Sequence, residues 1–197
     1  MTERSWSVLL VGGASGVGKS AVSYRLAAEL GVNLTAVDDV QNILERMTDP
    51  DRYPVVHLWR LHPERLLALE EAGMLAHTLE YAAVVAEALE PVIASHLQSG
   101  VPLMLEGDFI LPSLAIREAY DGVPADGRVR ALFLYEEEEA QIARNFAARE
   151  GEEQPFRARA CWRYSEWLRD ECRRLGVTAI PARPWETVLD RALGAVS

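Results

Sequence analysis

The sequence predicts an α/β fold in which helices cover both faces of a parallel sheet. Short apolar runs alternate with amphipathic segments along the 197 residues, which is the pattern of strands joined by crossover helices. A glycine-rich loop between the first strand and the first helix matches the phosphate-binding pattern G-x-x-x-x-G-K-[ST]. With 49% hydrophobic and 25% charged residues, the chain can bury a substantial core. Since no linker interrupts the alternation, we expect a single domain over residues 1–197.

Five apolar runs predict the strands, because each is short and bounded by glycine, proline or acidic residues. In chain order they are Val8–Val11, Val32–Val37, Val101–Leu105, Val129–Tyr135 and Val177–Ile180.

The segments between these strands have helical spacing. In the first of them, Val22, Leu26 and Leu30 share one face, and Gly31 ends the helix. The predicted helices are Lys19–Leu30, Gln41–Met47, Glu64–Leu97 with a break at Gly73, a segment around Ser113–Tyr120, Glu136–Arg149, Phe156–Leu175 and Trp185–Leu193. We expect Thr48–Pro63 to be irregular because it contains several prolines.

The phosphate-binding loop is the most specific signal in the chain. Its residues are Gly13, Ala14, Ser15, Gly16, Val17, Gly18, Lys19 and Ser20. Glycines let backbone N–H groups turn towards a phosphate, and the helix that follows adds partial positive charge. In such a loop, Lys19 contacts the β- and γ-phosphates and the Ser20 hydroxyl ligates Mg²⁺. We therefore expect ATP and Mg²⁺ as the nucleotide and the cofactor.

Charge and composition argue against several other partners. The formal net charge is −10, so the chain has no surplus of cations for nucleic acid or an anionic membrane. No apolar run is long enough to span a bilayer, and the first residues do not resemble a signal peptide. Cys161 and Cys172 are too far apart along one helix to form a disulfide. We expect a cytoplasmic protein.

The basic residues exclude one class of phosphate-loop protein. Lys19 is the only lysine, so the Asn-Lys-x-Asp motif of regulatory GTPases is absent. Ring-forming ATPase motors do not fit either, because the chain after residue 110 offers no helical lid domain and no second acidic strand motif. A compact nucleotide-dependent kinase remains.

Acidic residues follow two of the predicted strands. Asp38 and Asp39 come after the second strand, and Glu106 and Asp108 come after the third. Because the carboxyl ends of parallel strands meet at one edge of the sheet, these side chains should approach the γ-phosphate. A carboxylate there could deprotonate an acceptor hydroxyl, for which we favour Asp38, and the others could bind the acceptor. One of the aspartates could instead cap the next helix, and Glu106–Asp108 could be an acidic turn.

Arginines after the fourth strand predict a lid over about residues 144–163. Arg144 and Arg149 are the candidates for neutralising the transferred phosphoryl group, although most arginines of this segment should pair with neighbouring glutamates. Near the C-terminus, Arg183 precedes Pro184 and could stack on the nucleotide base. The same residues would also suit the start of a helix.

An insert of about residues 48–98 is the predicted acceptor site. Tyr53, His57 and Arg60, together with Trp59 and His62, combine aromatic faces with polar tips, which suits a hydroxylated small molecule. Each could equally be a packing residue of a helix that covers the site. The long helix from Met74 to Leu97 offers a surface for a homodimer.

Taken together, these segments resemble known small phosphotransferases. The loop GGASGVGKS is similar to that of 2-phosphoglycerate kinase-like proteins. The spacing from this loop to VDD and LEGD resembles chloramphenicol phosphotransferase-like kinases. The resemblance implies a three-layer P-loop fold with sheet order 2-3-1-4-5, ATP and Mg²⁺ at Gly13–Ser20, and Asp38 as the base.

The expected activity is transfer of the γ-phosphoryl group of ATP to a hydroxyl of a metabolite or an antibiotic-like natural product. Two alternatives remain open at this point. One is an ATP-binding regulatory protein with slow ATPase activity, and the other is a nucleoside or nucleotide kinase.

Overall fold

A five-stranded parallel sheet forms the centre of the computed structural model, which describes residues 5–196. The strands of the chain are β1 (Val8–Gly12), β2 (Asn33–Ala36), β3 (Leu103–Gly107), β4 (Ala119–Tyr120), β5 (Val123–Pro124), β6 (Val129–Tyr135) and β7 (Thr178–Pro181). The central sheet has the order β2-β3-β1-β6-β7, and the other two strands form a small hairpin. If only the strands of the central sheet are numbered, this is the predicted order 2-3-1-4-5.

The register of the sheet brings the functional segments to one edge. β1 is fully buried and pairs in parallel with β3 on one side and β6 on the other. Gly12, the last residue of β1, lies opposite Gly107 of β3 and Phe133 of β6. The glycine-rich loop after β1 therefore lies beside the acidic end of β3, where Glu106 is within the strand and Asp108 follows it.

Helices pack against the sheet in two groups, with α1 against α8 and α5 against α7. The helices are α1 (Lys19–Leu30), α2 (Val37–Met47), α3 (Pro54–Leu61), α4 (Pro63–Leu67), α5 (Glu71–Ser99), α6 (Glu139–Glu150), α7 (Pro155–Leu175) and α8 (Val188–Val196). Short 3₁₀ turns cover Pro112–Ile116 and Trp185–Thr187.

The segment Thr48–Pro63 is not irregular as predicted. It contains α3, and α4 begins at its last residue. Pro54 and Pro63 occupy the first turns of these helices, where the missing N–H of proline costs nothing. The prolines begin helices here rather than break them.

Several predicted helix boundaries also differ, among them those of α5 and α6. α5 runs through Gly73 from Glu71, so the interruption lies before the helix rather than at the glycine. α6 begins at Glu139 instead of Glu136. Glu136 is buried ahead of the helix, where its Oε1 accepts a hydrogen bond from the backbone N–H of Glu137 at 3.0 Å.

The predicted helix around Ser113–Tyr120 is wrong. A 3₁₀ turn ends at Ile116, and β4 and β5 then form an antiparallel hairpin. Asp121 and Gly122 make its turn, with φ of 45° and 77°. Asp-Gly with both φ values positive is typical of a two-residue type I′ turn, a signal that outweighs the apolar spacing upstream.

No helix between residues 5 and 196 is long and apolar enough to cross a membrane. Cys161 and Cys172 are free thiols, as their separation on α7 predicts.

The end of β1 leaves no room for a larger residue. A Cβ at Gly12 would overlap the ring of Phe133, which is itself 1% exposed. We expect Gly12→Ala to lower the free energy of unfolding by about 1–3 kcal/mol through overpacking. Gly194→Ala is the matched control, because a Cβ there meets open space and alanine favours α8 by about 0.5–1 kcal/mol. Urea denaturation measures both, and equal effects would contradict the packing described at Gly12.

Candidate active site

The loop between β1 and α1 forms a cradle without side chains. Gly16 and Gly18 have φ of 84° and 90°, a region that favours glycine. A Cβ at Gly18 would lie 2.7 Å from the Trp185 ring, and one at Gly16 would lie 2.9 Å from Ile142 Cγ2. Backbone conformation and close neighbours both demand glycine at these two positions. The loop leads into the N-terminus of α1, where backbone N–H groups suit a phosphate group.

A cavity of about 530 Å³ opens beside this loop. It is lined by Ser15, Gly16, Gly18, Lys19, Ser20, Ala21, Asp38, Glu106, Asp108, Asn145, Arg149, Arg183 and Trp185. We call it the nucleotide cavity. It brings together predicted residues from the loop, from both acidic strand ends, from the lid and from the turn after β7.

Lys19 is buried at the floor of the nucleotide cavity between two carboxylates. Its Nζ forms a hydrogen-bonded ion pair with Asp108 Oδ1 and lies 3.7 Å from Glu106 Oε1. Burial lowers the pKa of Lys19, but the charges of Asp108 and Glu106 outweigh burial and raise the pKa above its ordinary value. The ammonium is therefore charged and held beside the loop.

Ser20 and Glu106 supply oxygen atoms of the kind that Mg²⁺ binds. The Ser20 hydroxyl donates to Glu106 Oε1 at 3.1 Å, which places the first turn of α1 against the end of β3. Burial raises the pKa of Glu106, whereas Lys19 and Ser20 lower it in part. A hydroxyl next to a carboxylate, at the mouth of a phosphate cradle, fits a magnesium ion bound together with nucleotide phosphates.

Asp38 lies on the wall of the nucleotide cavity, in the first turn of α2, which begins earlier than predicted. Its Oδ1 accepts a hydrogen bond from Gln41 Nε2 at 3.2 Å. Partial burial and the neighbouring charge of Asp108 raise the pKa of Asp38. Asp39 shares the first turn of α2 but does not line the cavity.

The two lid arginines occupy different positions. Arg149 lines the nucleotide cavity, and its Nη2 lies 2.5 Å from Glu150 Oε1. Arg144 lies outside that cavity, where it bonds Gln141 at 2.7 Å and lies 3.7 Å from Glu138. Of the two candidates, the geometry favours Arg149.

Arg183 and Trp185 form the wall of the nucleotide cavity near the C-terminus, with the guanidinium 5.6 Å from the indole centroid. Glu136 orients this arginine, because its Oε2 accepts a hydrogen bond from Arg183 Nε at 3.4 Å. Sequence reasoning singled out Arg183 but missed Trp185 and Glu136. Trp185 lies in the same short turn, and the contact with Gly18 appears only in the folded chain.

Asn145 is a further residue that sequence reasoning missed. Its Nδ2 donates to the carbonyl oxygen of Gly16 at 2.7 Å and so ties α6 to the loop. No motif marks it, because its role depends on which face of α6 meets the loop.

A second cavity, of about 760 Å³, lies next to the nucleotide cavity, and we call it the acceptor cavity. Its walls come mainly from α5 and the beginning of α7, and α2, α3 and α4 contribute the remaining helical residues. Ser15 and Asp108 line both cavities, so the two meet where the phosphate loop faces the end of β3.

The predicted insert contributes to this cavity differently from expectation. Trp59 lines it, whereas Tyr53, His57 and Arg60 do not. His57 is 2% exposed and is held between Thr48 Oγ1 at 3.0 Å and Arg60 Nη2 at 3.2 Å. These contacts support a packing role for His57 and Arg60, which was the alternative considered for each residue of the insert.

Curated relatives match between half and two thirds of the chain. No family model matches. A 2-phosphoglycerate kinase of Methanopyrus kandleri is 26% identical to this chain over 114 residues. That alignment covers 56% of this chain and 35% of the kinase. A 2-phosphoglycerate kinase of Methanococcus maripaludis is 29% identical over 127 residues, or 59% of this chain and 40% of that protein. The matches thus span well under half of the length of these relatives.

Solved structures cover nearly the whole chain. A gluconokinase from Sinorhizobium meliloti aligns with a TM-score of 0.58 and 20% identity, over 98% of this chain and 93% of that one. A shikimate kinase from Acinetobacter baumannii aligns with a TM-score of 0.51 and 16% identity, over 96% and 94% of the two chains. The chain has the fold of small P-loop kinases, and its predicted resemblance to 2-phosphoglycerate kinases is confirmed.

The raised pKa of Asp38 has a consequence for stability. A carboxyl group whose pKa is raised by folding lowers the stability of the folded protein when it ionises. For Asp38, this loss of stability grows as the pH rises above about 4. We expect Asp38→Asn to raise the melting temperature at pH 7 and to have no such effect near pH 3. Asp51→Asn, at an exposed position in a loop, is the control for the loss of one negative charge. A lower melting temperature for Asp38→Asn at pH 7 would contradict the electrostatic environment described for Asp38.

Proposed function

We propose that this protein transfers the γ-phosphoryl group of ATP to a hydroxyl group of a small-molecule acceptor. One observation carries the proposal: the cavity that contains the buried, charged Lys19 lies beside a second cavity large enough for a small molecule, and the two share Ser15 and Asp108. The kinase fold and the similarity to 2-phosphoglycerate kinases support the same activity.

The nucleotide would lie along the first cavity with its phosphates at the loop. Backbone N–H groups of Ser15–Ser20 and the ammonium of Lys19 would bind the β- and γ-phosphates. Arg183 and Trp185 would flank the base. Before ATP binds, the ion pair with Asp108 would hold the ammonium of Lys19 in place. When ATP binds, Lys19 would give up part of this pairing and contact the phosphates instead.

Ser20 and Glu106 would hold Mg²⁺. When bound, the ion neutralises charge on the nucleotide phosphates and thereby favours transfer. Glu106 would contribute by keeping the Ser20 hydroxyl oriented towards the phosphates.

The transfer step needs a proton acceptor close to the acceptor hydroxyl. As the hydroxyl oxygen bonds to the γ-phosphorus, the bond from that phosphorus to the β–γ bridging oxygen breaks, and ADP leaves. The hydroxyl proton passes to a carboxylate, for which we propose Asp38. Its raised pKa makes it a better base than an ordinary aspartate, and Lys19 already neutralises Asp108.

The guanidinium of Arg149 would neutralise charge on the transferred group. It is held at the end of α6 by Glu150, next to the Gly151 turn that joins α6 to α7. The names of the curated relatives favour a phosphorylated hydroxy acid as acceptor, and an antibiotic-like natural product is the other class that we consider.

The test of the proposal is ADP release from Mg-ATP across a panel of hydroxylated acceptors. The panel holds glycerate phosphates, sugars, nucleosides, nucleoside monophosphates and hydroxylated antibiotics. We expect turnover that depends on one acceptor class and falls about 10²–10³-fold in Lys19→Met, because a positioned charge at the phosphates is lost. Slow ADP release that no acceptor stimulates would instead favour the regulatory ATPase, and stimulation by a nucleoside or its monophosphate would favour the nucleoside or nucleotide kinase.

Two isosteric variants identify the base. We expect Asp38→Asn to lower kcat about 10²–10⁴-fold and to remove the acidic limb of the pH–rate profile, while ATP binding is retained. Asp108→Asn is the matched comparison at the other aspartate that lines the cavity, and we expect a smaller loss of kcat. The opposite order of the two losses would transfer the role of base to Asp108.

Arg149 and Arg144 allow a second matched comparison, because they lie on the same helix and only Arg149 lines the nucleotide cavity. We expect Arg149→Gln to lower kcat about 10²-fold or more, as loss of a charge on the transferred group does. Arg144→Gln removes the same charge outside the cavity and should cost far less. Equal losses in acceptor-dependent turnover would mean that the lid acts through its overall charge.

A further inference from the structure

The walls of the acceptor cavity are mainly apolar. They include Trp59, Leu66, Leu67, Met74, Phe109 and Phe156. Three of these side chains remain well exposed in the free protein: Trp59 at 59%, Leu67 at 57% and Phe156 at 45%. Large apolar side chains that line a cavity and yet stay in water favour a ligand with apolar surface of its own.

The one arginine on these walls is already committed to other groups. Arg157 Nη1 lies 2.9 Å from Glu150 Oε2, and its guanidinium lies over the Phe146 ring at 4.4 Å from the centroid. An acidic ligand could pair with Arg157 only by breaking the ion pair between Arg157 and Glu150. The cavity therefore lacks a free guanidinium fork, the group that best matches a phosphate or a carboxylate.

The remaining charges on the walls are negative or neutralised. Asp108 is paired with Lys19, and burial lowers the pKa of His77, which keeps that imidazole neutral at pH 7. Glu45 lines the cavity and has no ion pair within residues 5–196. Its carboxylate disfavours an anion in the same space.

Tyr164 adds a polar group that has no partner of its own. The residue lines the acceptor cavity and is 4% exposed, and its hydroxyl makes no hydrogen bond within the described residues. A buried hydroxyl without a partner is costly, so a ligand that supplies an acceptor oxygen gains affinity from it.

We infer that this cavity binds an apolar alcohol that carries no negative charge and offers a further oxygen to the hydroxyl of Tyr164. The inference rests on the proposed function for the identity of the cavity as the acceptor site. It points away from a small phosphorylated hydroxy acid and towards an uncharged acceptor with an aromatic or aliphatic body.

Three matched probes separate charge from shape. 3-Hydroxy-2-phenylpropanamide, 3-hydroxy-2-phenylpropanoate and 2-phenylpropan-1-ol share a phenyl ring and a primary hydroxyl. The first two have nearly the same shape and differ in charge and in the N–H donors of the amide, and the third lacks the additional oxygen. Isothermal titration of the full chain, with Mg²⁺ and a non-hydrolysable ATP analogue present, gives the affinity of each probe.

We expect the amide to bind about tenfold or more tightly than the carboxylate, since Glu45 and the apolar walls oppose a negative charge. Glu45→Gln should reduce the difference in affinity between the amide and the carboxylate without changing the affinity for 2-phenylpropan-1-ol. Tighter or equal binding of the carboxylate, tight binding of 2-phosphoglycerate, or no binding of the amide would overturn the inference.

Tyr164→Phe tests the hydrogen bond separately. We expect it to weaken amide binding about fivefold, to the level of 2-phenylpropan-1-ol, while the melting temperature of the free protein stays the same or rises. If Tyr164 were needed only for packing, the substitution would not weaken the binding of one probe while leaving the melting temperature unchanged. An unchanged affinity for the amide would remove Tyr164 from the proposed site.

ADP release with the same probes keeps the two proposals apart. If the amide binds as expected but no acceptor of any class is phosphorylated, the inference about the cavity stands and the proposed phosphoryl transfer fails. If 2-phosphoglycerate is phosphorylated and the amide does not bind, phosphoryl transfer stands and the inference fails.

Discussion

The buried ion pair of Lys19 with Asp108 is the interaction on which the site depends. It joins the start of α1 to the end of β3, and Glu106 completes the contact through Ser20. A lone ammonium at this depth would lose its proton or draw in water, because burial disfavours charge. The two carboxylates keep Lys19 charged, and so the cradle holds a cation before any phosphate arrives.

The same pair joins the two cavities. Asp108 lines both of them, and Ser15 of the phosphate loop is the other residue that they share. The parallel sheet makes this junction, because Gly12 and Gly107 are in register at the ends of neighbouring strands. Two arginines of the predicted lid segment line different cavities, Arg149 the nucleotide cavity and Arg157 the acceptor cavity. Glu150 accepts hydrogen bonds from both arginines.

Where the sequence-based prediction failed, local backbone chemistry decided the structure. Pro54 and Pro63 were interpreted as breakers of regular structure, yet proline in a first helical turn keeps every hydrogen bond that the helix needs. Asp121 and Gly122 were overlooked as a turn, and their positive φ values produce a hairpin in place of a helix. In both cases the average composition of the segment was less informative than one or two residues with distinctive dihedral preferences.

The sequence by itself determined the sheet, the glycine-rich loop and several residues that line the nucleotide cavity, because strand periodicity and a contiguous motif are local properties. Gly13–Ser20, Asp38, Glu106 and Arg183 could all be assigned to this region by their positions after strands. Asn145, Trp185 and Tyr164 could not, since each acts through a contact or a cavity wall formed by segments far apart in the chain. The acceptor cavity likewise forms where α2, α3, α4, α5 and α7 meet, so its apolar and anionic character was decided by tertiary packing.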